Sequence, residues 1–204
     1  MQELCDFLKT RSKMNLLIVV CNVLIFLILE LIGDTESGQF MLVHGAFYLP
    51  AVVEEQEYYR IFTCMFLHFG IEHLFNNMLV LLFLGDMLEK AVGKVRYLLI
   101  YVLGGMAGNV LSAWHSYRTQ DFSVSAGASG AVFAVIGALL FLVLIHRGKL
   151  EDLSGRRLLL MAVLTLFQGF TSIGVDNWAH VGGLLGGLIL GALLFNWRKW
   201  ANGQ

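Results

Sequence analysis

The sequence predicts an all-α membrane protein with six transmembrane helices, from its composition, its apolar stretches and its distribution of positive charge. The 204 residues are 57% hydrophobic and 14% charged, whereas soluble domains carry roughly 25% charged residues. So few charges cannot cover a soluble surface of this size, and the membrane class is favoured. Helices are the expected spanning elements because lipid cannot satisfy free backbone polar groups.

Six apolar stretches are each close to the ~20 residues that a helix needs to cross a bilayer. They cover residues 14–32, 71–88, 95–114, 128–145, 158–173 and 178–197. The first follows Lys9, Arg11 and Lys13, as a signal peptide would follow its basic region. It is longer than the apolar part of a typical signal peptide, and no cleavage site of small residues follows it. We therefore interpret it as a retained span.

The positive charges fall almost entirely on one side of the predicted membrane. Of the 14 Lys and Arg residues, only Arg60 and Arg118 lie on the outer side when the N-terminus is placed inside. The positive-inside rule then predicts that both termini are cytoplasmic. We expect a helical domain at 14–198 between cytoplasmic tails at 1–13 and 199–204, in the plasma membrane of a bacterium.

Residues 33–70 form a long external connection between the first two spans. The segments 40–43 and 46–53 are apolar, and Glu54, Glu55 and Glu57 follow them. This mixture is typical of short helices that lie in the membrane interface, and a solvated loop would carry fewer bulky apolar residues.

Polar residues inside spans are costly and tend to face the interior of a bundle. His73 and Asn77 are four residues apart in the second span and therefore share one face of the helix, and His68 precedes them. Hydrogen bonds between helices explain such a pair about equally well. A zinc site is not predicted, because the order Glu72-His73 does not match H-E-x-x-H.

Ser129 lies among small residues that leave its hydroxyl accessible. From Ser129 to Ile145 a helix covers only about 25 Å, which is short of the ~30 Å hydrocarbon core. We therefore expect Ser129 below the outer surface, at a helix N-terminus whose free N–H groups favour a developing oxyanion. Helix packing is the alternative explanation for a serine among Gly and Ala.

His180 begins the last span on the same side of the membrane. Gly183 and Gly187 follow it at a spacing of four, which predicts close backbone contact with a neighbouring helix. If that neighbour is the fourth span, His180 comes within hydrogen-bond reach of Ser129, as nucleophilic catalysis requires. His73 lies at a similar depth, which favours a catalytic interpretation over packing alone.

Taken in order, these residues resemble the motifs of the rhomboid intramembrane serine proteases, from about residue 14 to 197. The matching segments are Tyr59-Arg60-Ile61-Phe62-Thr63, Phe66-Leu67-His68-Phe69-Gly70, His73-x-x-x-Asn77, Leu84-Gly85 with Glu89-Lys90, Gly127-x-Ser129-Gly130 and Ala179-His180-x-x-Gly183-x-x-x-Gly187. The resemblance implies a six-transmembrane-helix rhomboid-like bundle with a membrane-embedded external loop after the first helix.

The same resemblance implies a serine endopeptidase that hydrolyses peptide bonds in or near the transmembrane segments of membrane proteins. Ser129 would attack the peptide carbonyl and His180 would accept its proton, as a dyad without a third carboxylate. His73, Asn77 and the backbone N–H of Ser129 would form the oxyanion hole. No metal or other cofactor is implied, and the implied partners are membrane-protein substrates and the lipid bilayer, with no nucleic acid.

Further residues carry supporting roles by the same resemblance. Those that would assist substrate approach or support the site are Gly127, Phe133, His68 and Arg60, and those that would pack the last helix are Gly183 and Gly187. The chain departs from the family at two of its positions. Tyr59 replaces a common tryptophan, and Phe133 replaces a tyrosine whose ring stacks on the histidine, so we expect the stacking to remain without the hydroxyl.

Two other function classes fit a polytopic membrane protein. A rhomboid-like protein that binds membrane clients without cutting them usually lacks the serine or the histidine, and this chain has both. A transporter or channel predicts charged residues in mid-span or inverted repeats. The acids Glu30 and Asp86 lie instead at the ends of spans.

Overall fold

The computed structural model describes residues 10–146, 149–150, 153–171 and 174–195, and its architecture is helical as predicted. In chain order the elements are α1 (Lys13–Ile32), α2 (Gly38–Val43), α3 (Leu49–Val53), α4 (Arg60–Thr63), a 3-10 turn (Cys64–Phe66), α5 (Gly70–Val80), a π-helical segment (Leu81–Gly85), α6 (Asp86–Val92), α7 (Lys94–Thr119), α8 (Ser129–Ile145), the two-residue strands β1 (Lys149–Leu150) and β2 (Leu153–Ser154), α9 (Gly155–Thr171) and α10 (Asn177–Leu194). The two strands pair antiparallel with Lys149 opposite Ser154.

Four helical stretches of the described chain are long and apolar enough to cross a membrane. They are α1, the continuous stretch 70–92 that contains α5 and α6, α7, and α10. Helix α8 is also apolar and has 17 residues, and α9 has 17 residues over the predicted fifth span. The protein is therefore an integral membrane protein, while the count of six spans stays a prediction.

The start of α1 is held by two carboxylates of α6. Glu89 accepts hydrogen bonds from the backbone N–H groups of Met14 (3.2 Å) and Asn15 (2.7 Å), and Asp86 accepts one from that of Ser12 (2.6 Å). The first N–H groups of a helix have no partner within the helix, and negative charge is favourable at that end. This contact defines the lower end of the bundle; the upper end is the opposite one, where α1 and α7 end and α5, α8 and α10 begin.

The π-helical segment is hydrogen-bonded to a buried asparagine of α1. Asn15 donates to the Leu81 carbonyl oxygen at 2.8 Å and accepts from the Tyr97 hydroxyl at 2.6 Å. A Cβ at Gly85 would collide with the Asn15 side chain, so the close approach requires glycine there. The polar contact therefore fixes α1 against both the second span and α7.

Helix α8 lies at the centre of the bundle. Of its 17 residues, 12 are buried, and they lie on every side of the helix. A helix that is hydrophobic all round is one that other elements enclose. The start of this helix therefore lies inside the protein.

Helix α10 packs directly on α8 through glycines. A Cβ at Gly183 would collide with the carbonyl oxygen of Gly130, and a Cβ at Gly187 with that of Ala134. The two backbones are therefore in direct contact, and the fourth and sixth predicted spans are neighbours. Helix α10 also packs on α7, because a Cβ at Gly182 would lie 2.9 Å from the Cα of Gly108.

The connection between α1 and α5 contains short helices, as its apolar segments predict. Arg60 is buried in it and donates to the carbonyl oxygens of Leu42 (2.6 Å) and Ala46 (2.9 Å). Glu57 pairs with the same guanidinium, and this hydrogen bond holds the pKa of the Glu57 carboxyl below its usual value. Arg60 therefore folds the connection on itself.

Candidate active site

A cavity of about 320 Å³ lies at the upper end of the bundle. Its walls come from the 3-10 turn, α5, α7, the segment before α8, the start of α8, α9 and the start of α10. Six residues that the sequence singled out line it: His73, Asn77, Gly127, Ser129, Phe133 and His180. Among the described residues, the structure thus brings together side chains that are up to 107 positions apart in the chain, from His73 to His180.

Ser129 is the first residue of α8, two residues after a glycine whose backbone conformation favours glycine. Gly127 has φ +144°, which side chains rarely adopt. A Cβ built there would lie 2.7 Å from His73 Cε1 and 3.6 Å from Ser129 Oγ. His73 and Ser129 therefore flank the same glycine, and the absence of a side chain leaves the space between them open.

The N-terminus of α8 carries no side-chain cap. Ala128 is the N-cap residue and its side chain offers no acceptor. The N–H groups of Ser129, Gly130 and Ala131, at the start of the helix, have no partner within the helix. They and the positive end of the helix dipole are therefore available to an anion beside Ser129 Oγ.

His68 forms a second layer behind this turn. It is 1% exposed, its Nε2 accepts from the Ala128 backbone N–H at 3.3 Å, and its ring meets the His73 ring edge-on at 5.2 Å. Burial lowers the pKa of His68 to about 3. The ring therefore stays neutral at physiological pH and keeps accepting the N–H that positions the turn.

His180 lies in the first turn of α10 and stacks on Phe133 of α8. The ring centroids are 4.5 Å apart and the planes differ by 17°, so the expected stacking is present without the tyrosine hydroxyl. In the described part of the chain, His180 Nδ1 is buried and has no hydrogen-bond partner. No described carboxylate therefore orients the imidazole as the aspartate of a Ser-His-Asp triad does.

Ser129 and His180 lie in the first turns of α8 and α10, two helices that are in direct contact. Their neighbours touch: a Cβ at Gly130 would lie 3.5 Å from the Ala179 carbonyl oxygen. The described side chains of Ser129 and His180 line one cavity without a direct hydrogen bond between them. Such bonds are often long in unliganded enzymes and tighten when the substrate binds.

Asn77 donates one N–H of its amide to the His73 carbonyl oxygen, one helical turn earlier, at 3.0 Å. An amide nitrogen carries two protons, so the second can point into the cavity. Asn76 is exposed and also lines the cavity.

Arg60 is the sequence-predicted site residue that lies apart from this group. It does not line the cavity, and its contacts are the carbonyl oxygens and the carboxylate of the external connection. Gly183 and Gly187 lie deeper along the α8 contact. Arg60 therefore supports the site by fixing the external connection, and Gly183 and Gly187 support it by fixing the last helix.

Asp176 and Asn109 are among the polar residues of the cavity wall that the sequence analysis did not single out. Asp176 precedes the predicted last span, caps α10 and lines the cavity. An aspartate directly before an apolar helix is a typical N-cap signal. Asn109 of α7 donates to the Ile61 carbonyl oxygen at 2.8 Å and to Cys64 Sγ at 3.0 Å; a polar residue within a span was its signal.

The sequence is similar to that of a known protein family. A family model described as the Rhomboid domain matches residues 55–197, more than two thirds of the chain. The chain belongs to the rhomboid family. Its all-α membrane fold is that of a rhomboid, as the motifs implied.

One relative matches more of the chain than the family model does, and two others match about the same share. The rhomboid protease GluP of Bacillus subtilis is 32% identical over 192 residues, which cover 94% of this chain and 37% of GluP. The RHOMBOID-like protein 5 of Arabidopsis thaliana is 40% identical over 70% of this chain and 46% of its own length. The putative rhomboid protease YdcA of Bacillus subtilis is 34% identical over 69% of each chain. This rhomboid thus spans about a third to a half of the length of most of these relatives.

Proposed function

We propose that this rhomboid is an intramembrane serine endopeptidase that cuts other membrane proteins in or near their transmembrane segments, with Ser129 and His180 as a catalytic dyad. One observation carries the proposal: Ser129, at an uncapped helix N-terminus, and the buried imidazole of His180 line the same cavity. The relatives named as rhomboid proteases support the same reaction class.

The first chemical step is attack of Ser129 Oγ on the carbonyl carbon of the scissile peptide bond. As the new C–O bond forms, His180 takes the hydroxyl proton and the carbonyl electrons move onto oxygen. His180 then gives this proton to the departing amine as the C–N bond breaks. Water, deprotonated by the same imidazole, hydrolyses the resulting ester and restores Ser129.

The negative oxygen of the tetrahedral intermediate needs donors in place before it forms. We assign this role to the backbone N–H of Ser129, the free N–H of Asn77 and the imidazole of His73. All three come from cavity-lining residues, and the α8 N-terminus adds the positive end of its dipole. Donors of this kind are each worth roughly 10²–10³ in rate.

The remaining roles support this chemistry. Gly127 leaves room for the substrate backbone. A side chain there would fill the space beside His73 and collide with its ring. Phe133 holds the His180 ring by stacking, and His68 holds the turn before Ser129. Arg60 orders the connection, and Gly183 and Gly187 hold α10 on α8.

The same proposal includes an orientation. The catalytic domain covers 14–198, with cytoplasmic tails at 1–13 and 199–204, and the cavity opens to the external side of a bacterial plasma membrane. The excess of Lys and Arg on the side of the lower end supports this orientation. A substrate helix unwinds locally at the cavity to expose its peptide bond.

Cleavage of a single-span model substrate in membranes tests the dyad. Ser129→Ala and His180→Ala are each expected to remove cleavage. Ser123→Ala, which changes an exposed serine of the segment between α7 and α8, is expected to keep it. Undiminished cleavage by either dyad variant would refute the assignment. Wild-type protein that reproducibly binds the substrate and never cuts it would favour a client-binding rhomboid instead.

A further inference from the structure

Asp176 holds three parts of the site together through one carboxylate. Its Oδ1 accepts from the backbone N–H of Ala179 at 2.9 Å. Its Oδ2 accepts from the hydroxyls of Ser112 at 2.6 Å and Ser125 at 2.8 Å. Both oxygens are therefore engaged, and each of the three donors belongs to a different element of the structure.

The three donors lie at positions that matter for the geometry of the dyad. Ala179 directly precedes His180 in the first turn of α10. Ser125 lies four residues before Ser129, in the segment that leads into α8, and its backbone pairs with Phe47 in both directions, at 2.8 and 2.9 Å. Ser112 belongs to α7, the helix that packs on α10. The carboxylate thus connects α10, which carries His180, the segment that precedes Ser129, and α7.

A second contact holds the same end of α10 on α7. Trp178 stacks on His115, with ring centroids 4.6 Å apart and planes 20° from parallel. His115 lies three residues after Ser112 and so lies on the same side of α7. The start of α10 is therefore fixed laterally on α7, and the bond from Asp176 to Ser125 adds the connection toward Ser129.

Asp176 is not the third member of a triad. Such an aspartate bonds the histidine Nδ1, whereas Nδ1 of His180 is buried without a partner in the described chain. Among the described residues, every hydrogen bond that the Asp176 carboxylate accepts comes from a backbone N–H or a serine hydroxyl. Asp176 therefore acts on the imidazole without a hydrogen bond to the ring, through the position of the helix that carries it and through its nearby charge.

We propose that Asp176 is a positioning residue that sets His180 relative to Ser129 by joining the N-terminus of α10 to the segment that precedes α8. This inference rests on the proposed function. A carboxylate suits the position because it caps the helix, is favoured by the helix dipole and still accepts from two hydroxyls. The family dyad has no third carboxylate in contact with the histidine ring. Asp176 instead orients the His180 imidazole through the N-terminus of α10.

The size of the effect follows from how steeply reaction rates depend on geometry. A misplacement of about 1 Å can cost about 100-fold in rate. Asp176→Ala leaves three donors without an acceptor and frees the two elements from each other. We expect kcat to fall about 10- to 100-fold, with KM changed less than about threefold because the proposed oxyanion donors and the nucleophile remain.

Kinetics of the purified full chain in liposomes test this expectation. Active sites are counted with a fluorophosphonate probe, and kcat and KM are measured per counted site with a single-span substrate. Asp176→Asn keeps an acceptor for Ala179 and offers two N–H donors to the serine oxygens, so it is expected to recover most of the wild-type kcat. Asp121→Asn removes an exposed acid upstream of Ser125 and serves as the matched control, with wild-type kinetics expected.

A double-mutant cycle locates the effect. If the bond to Ser125 carries the positioning, Ser125→Ala alone lowers kcat and has little further effect in the Asp176→Ala background, so the two changes are clearly non-additive. Full additivity of the two changes in kcat would contradict a connection through this bond.

Hydrogen–deuterium exchange gives a readout that does not depend on cleavage. Asp176→Ala should speed exchange both in residues 120–128 and in the first turn of α10, and Asp121→Asn should not. Unchanged exchange in 120–128 overturns the inference whether or not the chain cleaves anything. A lower yield of active sites with unchanged kcat per site also overturns it, because the role would then be stability alone. Failure of the proposed function appears separately, as wild-type cleavage no faster than that of Ser129→Ala.

Discussion

Three helix N-termini in this rhomboid are treated in two different ways. The start of α1 is covered by the carboxylates of Asp86 and Glu89, and that of α10 by Asp176. The start of α8, at Ser129, has no side-chain cap. A capped N-terminus is satisfied and structural, whereas an uncapped one inside a bundle keeps its positive end free for an anion that forms during a reaction. The contrast separates groups that hold the fold from groups that are proposed to act on a substrate.

The largest expected effect comes from the glycine contact that keeps the uncapped helix beside His180. Gly183→Val would drive a side chain into the Gly130 carbonyl oxygen, and we expect a loss of stability of at least about 3 kcal/mol with loss of cleavage. Thermal unfolding of the purified protein measures it. Gly38→Ala is the control, since nothing lies within 4 Å of a Cβ there, and a Gly183→Val protein with normal stability would contradict the contact.

The next effect compares two asparagines at opposite ends of the bundle. Asn77→Ala removes a proposed oxyanion donor and should lower kcat about 10²–10³-fold with little change in unfolding temperature. Asn15→Ala removes the buried partner of Tyr97 and Leu81 and should destabilise the fold by about 1–3 kcal/mol with kcat per active site kept. Equal effects of both variants on kcat would remove the distinction. Asn76→Ala, in the same cavity wall, is the control for Asn77.

The caps themselves provide a smaller test. Glu89→Gln replaces one acceptor oxygen by a donor that faces the N–H groups of Met14 or Asn15, so we expect about 1–3 kcal/mol of destabilisation. Catalysis per folded molecule should be unchanged, as measured by kcat after active-site titration. The exposed Glu72→Gln serves as control, and a reduced kcat in Glu89→Gln would mean that the lower end takes part in the chemistry.

The smallest effect concerns the ring under His180. Phe133→Leu removes a stacked pair worth about 0.5–1.5 kcal/mol, so kcat should fall about 2- to 10-fold. Phe133→Tyr keeps the ring and restores the hydroxyl that the family often carries, so it should remain within about threefold of the wild type. A Phe133→Leu variant with wild-type kcat would show that stacking does not orient the imidazole.

The sequence predicted those parts of the molecule that leave a local pattern. Ser129, His180, His73 and Asn77 were found because polar groups in apolar spans are unusual and because their motifs resemble the family. The second span was placed at 71–88, whereas the helical stretch continues to Val92. Glu89 lies beyond the apolar stretch and accepts hydrogen bonds from the start of α1. Hydropathy does not register such a bond.

Contacts between distant segments could not be predicted from the sequence. Arg60 bonds carbonyl oxygens 14 and 18 residues away, and any residue type can supply a carbonyl. Asp176 accepts hydrogen bonds from serine hydroxyls 51 and 64 residues away. Serine is common in helices and loops, so neither serine marks itself as a partner. The candidate residues of the cavity were therefore predictable, whereas the contacts that hold them in place were not.

Covalent labelling most directly tests the claim that the uncapped start of α8 is the reactive centre. The full chain in liposomes is treated with a fluorophosphonate probe, and the modified residue is identified by peptide mass spectrometry. We expect a single adduct on Ser129 Oγ that is lost in His180→Ala and retained in Ser123→Ala. Cleavage of a single-span substrate by a protein whose Ser129 remains unmodified under saturating probe would contradict a reactive centre at the start of α8.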